Sequence, residues 1–74
     1  MARVKEFFRD QRSATAHPTE VECGWLVVQN GGNRLLQLST YGSDHRKSEK
    51  KVSQTIQLDA AAAAELRAII DQVF

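Results

Sequence analysis

The amino-acid sequence predicts a small α+β domain: an antiparallel β-sheet of three to four strands (β-β-β-β-α order), covered on one face by one C-terminal helix. Three observations predict this class: period-two alternation in several stretches, a glycine-rich turn between two of them, and a helical apolar stripe near the end. We expect one domain over residues 1–74. It divides into an N-terminal strand and loop (1–18), an antiparallel meander (19–58) and the C-terminal helix (59–74).

The helix is predicted by the segment AAAAAELRAIIDQVF, which follows Asp59. Aspartate is a favoured N-cap residue, because its carboxylate accepts a hydrogen bond from a backbone N–H of the first turn. Apolar residues recur in this segment at helical spacing and form one stripe: Ala62, Leu66, Ile69, Ile70 and Val73. We expect this stripe to pack on the sheet.

Three stretches, TEVECGWLVVQ, RLLQLSTY and VSQTIQL, alternate with the period of a β-strand. In the last two, one predicted face carries Leu36, Leu38, Val52, Gln54, Ile56 and Leu58. The opposite face carries Gln37, Ser39, Tyr41, Ser53, Thr55 and Gln57. In the first stretch, Gly24 predicts a bulge or a bend. The sequence NGGN, residues 30–33, tolerates positive φ and predicts a hairpin between the first two stretches.

The first eighteen residues allow two interpretations. The segment RVKEFF fits either an edge strand, with Val4 and one of the phenylalanines pointing inward, or a short helix. The segment DQRSATAHPT then reads as a loop, because the residue before Pro18 is restricted to extended conformations.

Composition favours a soluble globular protein, since 42% of the residues are hydrophobic and 26% are charged. The chain resembles neither a signal peptide nor a membrane span, so we expect a cytoplasmic protein that does not bind membranes. The lone Cys23 reads as a small hydrophobic residue of a strand. With only His17 and His45 beside it, a zinc site, a catalytic thiol or any other cofactor site is not expected.

The predicted polar face borders a basic loop. Four cations, Arg46, Lys47, Lys50 and Lys51, follow the strand that ends at Tyr41. Cations that follow phosphates and an exposed ring that stacks on a base suit single-stranded DNA or RNA. Candidate binding residues are therefore these four cations with Tyr41, Ser39 and Thr55. The alternative is a solvated loop beside an ordinary soluble sheet face, which the net charge of +1 fits equally well.

The segment LLQLSTYGSDHRKSEKKVSQTIQLDAAAAAELRAII resembles the transcriptional coactivator positive-cofactor-four family of single-stranded DNA-binding proteins. The resemblance implies a four-strand sheet plus helix, a homodimer formed largely through the helices, and sheet faces that hold single strands. It assigns Lys50 and Lys51 to the lysines before the last strand and Tyr41 to the strand-end aromatic residue. Two departures are that Val52 follows Lys51 without the family's glycine, and that alanines replace an early aromatic residue of the helix.

We therefore expect a non-enzymatic, dimeric module that binds single-stranded nucleic acid. The runner-up is a structural or protein-interaction module whose exposed sheet or edge pairs with another protein. Dimerisation is expected on physical grounds as well, since a chain of this length buries only about 60% of its unfolded surface. An enzyme is a distant third, because no nucleophile motif, phosphate-binding glycine loop or metal-ligand spacing is present in the sequence.

Overall fold

The computed structural model describes residues 1–42 and 51–74. Its elements, in chain order, are β1 (Ala2–Arg3), β2 (Cys23–Asn30), β3 (Asn33–Tyr41), β4 (Val52–Leu58) and α1 (Ala60–Val73). The four strands form one mostly antiparallel sheet in the order β1-β4-β3-β2. The predicted α+β class, with one C-terminal helix on a small sheet, is confirmed.

The β2–β3 hairpin closes at the predicted turn. Asn30 pairs with Asn33 across the two glycines, and Gly31 has a φ of 62°. This left-handed conformation costs glycine little, because it has no β-carbon. The pairing continues without a register shift from Asn30 back to Cys23. The bulge that Gly24 predicts in β2 is therefore absent.

A register shift does occur between β3 and β4, opposite Thr40 and Tyr41. Thr40 pairs with Gln54 and Tyr41 pairs with Val52, so β4 has one extra residue, Ser53, at this point. One extra residue reverses the facing of every side chain beyond it. Val52 therefore lies opposite Tyr41, on the face that carries Thr55. Uninterrupted period-two alternation places Val52 on the other face, with Ile56 and Leu58.

The same bulge moves Ser53 off the predicted polar face. Its hydroxyl lies 2.8 Å from the hydroxyl of Thr40, a residue that alternates with Ser39 and so belongs to the opposite face. The prediction that Ser53 shares a face with Thr55 is wrong. Uninterrupted alternation cannot reveal a bulge, since serine and threonine suit either face of an exposed sheet end.

The N-terminal segment contributes a strand, but at Ala2–Arg3 and not over the segment RVKEFF, of which only Arg3 takes part. Neither the predicted edge strand through Val4 nor the alternative helix is found, and the strand is parallel, not antiparallel. β1 has two residues and runs parallel to β4, with Ala2 opposite Ile56 and Arg3 opposite Gln57. The N–H of Val4 donates to the carbonyl of Gln57 at 2.8 Å. A parallel neighbour requires a connection of about a dozen residues or more. Residues 4–22 provide it and carry the chain to β2 at the far edge of the sheet.

The N-cap of α1 is confirmed. Asp59 has extended backbone angles, and its carboxylate accepts a hydrogen bond from the N–H of Ala62 at 2.8 Å. This bond satisfies one of the donors that a helix N-terminus otherwise leaves unpaired. At the other end, the N–H of Phe74 donates to the carbonyl of Ile70 at 3.0 Å.

The apolar core is small. Leu58 and Ala62 are each 1% exposed, and Leu35, which alternates to the other face of β3, is 6% exposed. Among the four strands, the helix contacts β3 and β4. Farther along the predicted stripe, Leu66 is half-buried, whereas Ile70 and Val73 are exposed. Apolar burial is therefore concentrated at the end of the sheet where the helix begins, and the predicted packing of the whole stripe on the sheet is only partly realised in a single chain.

Cys23 begins β2 but is exposed, so the inward packing expected for a lone cysteine of a strand is not found in the single chain. Across residues 1–42 and 51–74, no helix has both the length and the apolar character needed to span a bilayer.

Candidate nucleic-acid interface

The candidate site is one face of the sheet, here called the polar face. Cross-strand pairs define it, because residues directly opposite each other on neighbouring strands emerge on the same side. Gln37 lies opposite Gln57, and Ser39 lies opposite Thr55. We name it for Gln37, Ser39 and Tyr41 of β3 with Thr55 and Gln57 of β4. By the same pairing, it also carries apolar residues at its margins: Leu26, Val28, Leu35 and Val52.

Four side chains of the polar face form a continuous hydrogen-bonded row. The amide of Gln57 donates to the side-chain oxygen of Gln37 at 2.8 Å, and the amide of Gln37 donates to the hydroxyl of Ser39 at 3.5 Å. The hydroxyls of Ser39 and Thr55 lie 3.1 Å apart. Each amide still has a second N–H, and each carbonyl oxygen a second lone pair. The row can therefore offer donors and acceptors to a ligand without breaking its internal bonds.

Burial within the row is uneven. Ser39 is 6% exposed, and Thr55, Gln37 and Gln57 are half-buried. A buried hydroxyl without a partner costs about 1–3 kcal/mol, so the bond to Thr55 has a structural role. The outward-facing parts of the two glutamines are the groups best placed to meet a ligand.

Tyr41 follows Ser39 on the same face, beyond the row, and its ring lies over β2. A β-carbon added at Gly24 would approach Cε1 of Tyr41 to 3.2 Å, closer than ordinary contact. Gly24 pairs with Ser39, so this contact is on the polar face. The absence of a side chain at Gly24 lets the ring rest against the backbone of β2. Tyr41 is half-buried there.

Charges stand at both ends of the polar face. Arg3 lies opposite Gln57 and is exposed, which places a cation on the β1 side of the row. Sequence patterns missed Arg3, since only the pairing of β1 with β4 brings the N-terminus to this face. At the other end, Lys51 is exposed, and its carbonyl accepts from the N–H of Gly42 at 3.1 Å. Glu22, opposite Tyr41 in the β2–β3 ladder, adds a negative charge at this end.

The structure thus brings several predicted site residues together. Ser39, Tyr41 and Thr55 share one face, and Lys51 adjoins the strand end that carries Tyr41. Arg46, Lys47 and Lys50, the remaining predicted cations, lie outside the described residues.

One ion pair lies in the N-terminal segment, outside the polar face. The guanidinium of Arg12 donates to both carboxylate oxygens of Asp10, with its NH2 group 2.8 Å from one of them. Hydrogen bonds from the side chain and the backbone N–H of Arg12 hold the pKa of Asp10 below its usual value. Both side chains are largely exposed, so the pair orders the local turn and contributes little to the stability of the sheet.

Compared with known proteins, the chain matches no family model, no curated protein and no solved structure.

Proposed function

We propose that the chain is a non-enzymatic cytoplasmic module that binds single-stranded DNA or RNA across the polar face. The observation that supports this most directly is the uncharged hydrogen-bonding row, which shares its face with the ring of Tyr41 and lies between Arg3 and Lys51. Such a surface offers polar groups to sugars and base edges, a flat ring to a base, and cations to phosphates.

Tyr41 is the expected stacking residue. Its ring is held against Gly24, so little rotational freedom remains to be lost when a base stacks on it. Stacking of one base on an aromatic ring contributes roughly 1–3 kcal/mol by alanine substitution. A single tyrosine of this kind gives modest affinity and little sequence preference, since every base has a face that can stack.

The cations supply the salt-dependent part of the affinity. Each phosphate neutralised on a single strand lowers the logarithm of the binding constant by about 0.7 per tenfold increase in salt. Arg3 and Lys51 acting alone predict a slope of about −1.4. Participation by Arg46, Lys47 and Lys50 makes the slope steeper.

The test is a titration of a fluorescently labelled, mixed-sequence single strand with the protein, followed by anisotropy at several salt concentrations. We expect binding that weakens with salt and is tighter than to a duplex of the same sequence. No binding at the lowest salt concentration, or equal affinity for duplex and single strand, overturns the proposal.

A second candidate function is favoured by a separate observation. On the face opposite the polar face, Trp25 is 71% exposed, and Val27 and Ile56 are exposed beside it. Contiguous apolar side chains on a surface indicate a protein-interaction site. This candidate predicts a protein partner whose affinity depends only weakly on salt. It also predicts no binding of the labelled single strand, so the titration described above separates the two candidates.

A further inference from the structure

The outer strand β2 is an open sheet edge. It is eight residues long, CGWLVVQN, and contains no charged residue and no proline. Sheet proteins normally protect such edges with lysine, proline, bulges or short strands, because an unpaired ladder recruits another strand. The opposite edge is protected in this way, since β1 has only two residues. An unprotected edge of this length indicates a surface built to be paired.

The hydrogen-bonding direction of each β2 residue follows from one bond. The N–H of Tyr41 donates to the carbonyl of Glu22 at 3.0 Å, so Glu22 belongs to a hydrogen-bonded pair with β3. Such pairs alternate along an antiparallel ladder. The residues with even numbers therefore direct their backbone groups to β3. The open edge presents the N–H and C=O groups of Cys23, Trp25, Val27 and Gln29.

The side chains at this edge are unusually exposed for a strand. Trp25, Leu26 and Val27 are consecutive, so they cover both faces of the sheet, and they are 71%, 49% and 52% exposed. Burial of apolar surface is the main favourable term in protein association. The outward backbone groups of β2 and much of the surface of these three side chains are therefore uncovered within the described part of the chain.

The total surface is also larger than a compact monomer requires. The chain exposes 7012 Å², whereas a monomer of 8.3 kDa is expected to expose about 4,600 Å². Part of this excess belongs to the connection between β1 and β2, in which residues 8–22 are all exposed, and part belongs to Trp25, Leu26 and Val27 of β2. The excess is larger than the ~800 Å² that each partner buries in a standard interface.

We infer that a second copy of this chain pairs with β2 in antiparallel fashion, joining two sheets into one of eight strands. Pairing all four outward-facing residues requires a single register, in which Cys23 lies opposite Gln29 of the second copy and Trp25 lies opposite Val27 of the second copy. The two-fold axis then passes through Leu26, which faces its own counterpart. Any register shifted along the strand leaves outward backbone groups unpaired at both ends.

This register matches the side chains as well as the backbone. Trp25 and Val27 share a face, and the symmetric pairing creates two aromatic–β-branched contacts, a favourable cross-strand combination. The two Leu26 side chains meet on the polar face in a non-hydrogen-bonded pair, where strands approach most closely. Because β2 carries no charge, self-pairing places no like charges opposite each other. The four outward-facing residues that pair are not among the proposed nucleic-acid-binding residues.

Disulfide trapping tests the register. In the Cys23→Ser background, Leu26→Cys places two thiols across the axis, with α-carbons about 4.5 Å apart in such a pair. That separation permits a disulfide. Val28→Cys in the same background is the matched control, because its two copies are four residues apart along the strands, about 14 Å. We expect mild oxidation to crosslink the Leu26→Cys chain rapidly and the Val28→Cys chain at least tenfold more slowly.

Sedimentation equilibrium of the unmodified full chain is the companion measurement, and we expect a dimer. Val27→Pro removes one outward N–H without touching the β2–β3 ladder, so we expect the dissociation constant of the dimer to rise tenfold or more while circular dichroism keeps its strand signal. Val27→Ala, which keeps that N–H, should shift the constant less. A monomeric chain, a dimer that Val27→Pro leaves intact, or equal crosslinking at positions 26 and 28 overturns the inference.

Discussion

The ring of Tyr41 lies over the α-carbon of Gly24, so that a β-carbon at Gly24 would come within 3.2 Å of Cε1 of the ring. Gly24 is in the edge strand β2, and Tyr41 ends the neighbouring strand β3. The contact joins the end of the polar face to the edge at which we infer self-pairing. It also makes Gly24 a position where a small substitution reports on the placement of the ring.

We expect Gly24→Val to lower the free energy of unfolding by about 1 kcal/mol, since its added methyl groups displace the ring and force a strained arrangement. In a Tyr41→Ala background the same substitution should become stabilising, by up to about 1 kcal/mol, because valine favours strands over glycine. Urea unfolding of the four chains in this double-mutant cycle measures the coupling. Equal effects of Gly24→Val in both backgrounds would show that the ring does not occupy this position in solution.

The Ser39–Thr55 bond predicts a second non-additive pair. Thr55→Val removes one hydrogen-bond partner of the buried Ser39 hydroxyl. This should lower the free energy of unfolding by about 1 kcal/mol or more. Adding Ser39→Ala removes the unsatisfied hydroxyl, so the double variant should recover most of that loss. Thermal or urea unfolding checks this, and a double variant that is less stable than either single variant would contradict it.

The N-cap predicts a simple dependence of stability on the residue at position 59. Asp59→Ala removes the acceptor for the N–H of Ala62 and should lower the free energy of unfolding by about 1 kcal/mol. Asp59→Asn is the matched control, because asparagine caps about as well as aspartate. A loss of equal size in both variants would mean that the negative charge, rather than the hydrogen bond, stabilises the helix.

The cations predict a change in binding without a change in folding. Lys50→Glu with Lys51→Glu should sharply weaken binding of a labelled single strand and reduce its salt slope by about 1.4, the contribution of two phosphates. Arg34→Glu with Arg67→Glu is the matched control. It changes the net charge equally, but Arg34 alternates to the opposite face from Ser39 and Arg67 is on the helix.

Anisotropy titrations at matched salt compare the two double variants, and circular dichroism checks that both are folded. If the control weakens binding as much as the lysine substitutions do, only the net charge matters and these lysines are not part of a defined site. If a folded lysine variant binds with unchanged affinity, Lys50 and Lys51 do not contact the nucleic acid.

The local sequence by itself determined those elements that short-range residue patterns specify. The Asn-Gly-Gly-Asn turn, the Asp59 cap and the alternation in β3 are short-range features, so the hairpin, the helix start and the shared face of Ser39, Tyr41 and Thr55 were predictable. The α+β class follows from the same signals, because an amphipathic helix that follows alternating strands buries its apolar stripe by packing on the apolar face of the sheet.

Tertiary structure decided the rest, because it depends on pairings between residues far apart in the chain. Only the register of β4 against β3 shows that Ser53 is the extra residue, and only the parallel pairing of β1 brings Arg3 to the polar face. Backbone hydrogen bonds form between any extended segments, so side-chain patterns do not encode which strand becomes an edge. The position of β2 at that edge, with Trp25 exposed, is therefore a property of the assembled sheet.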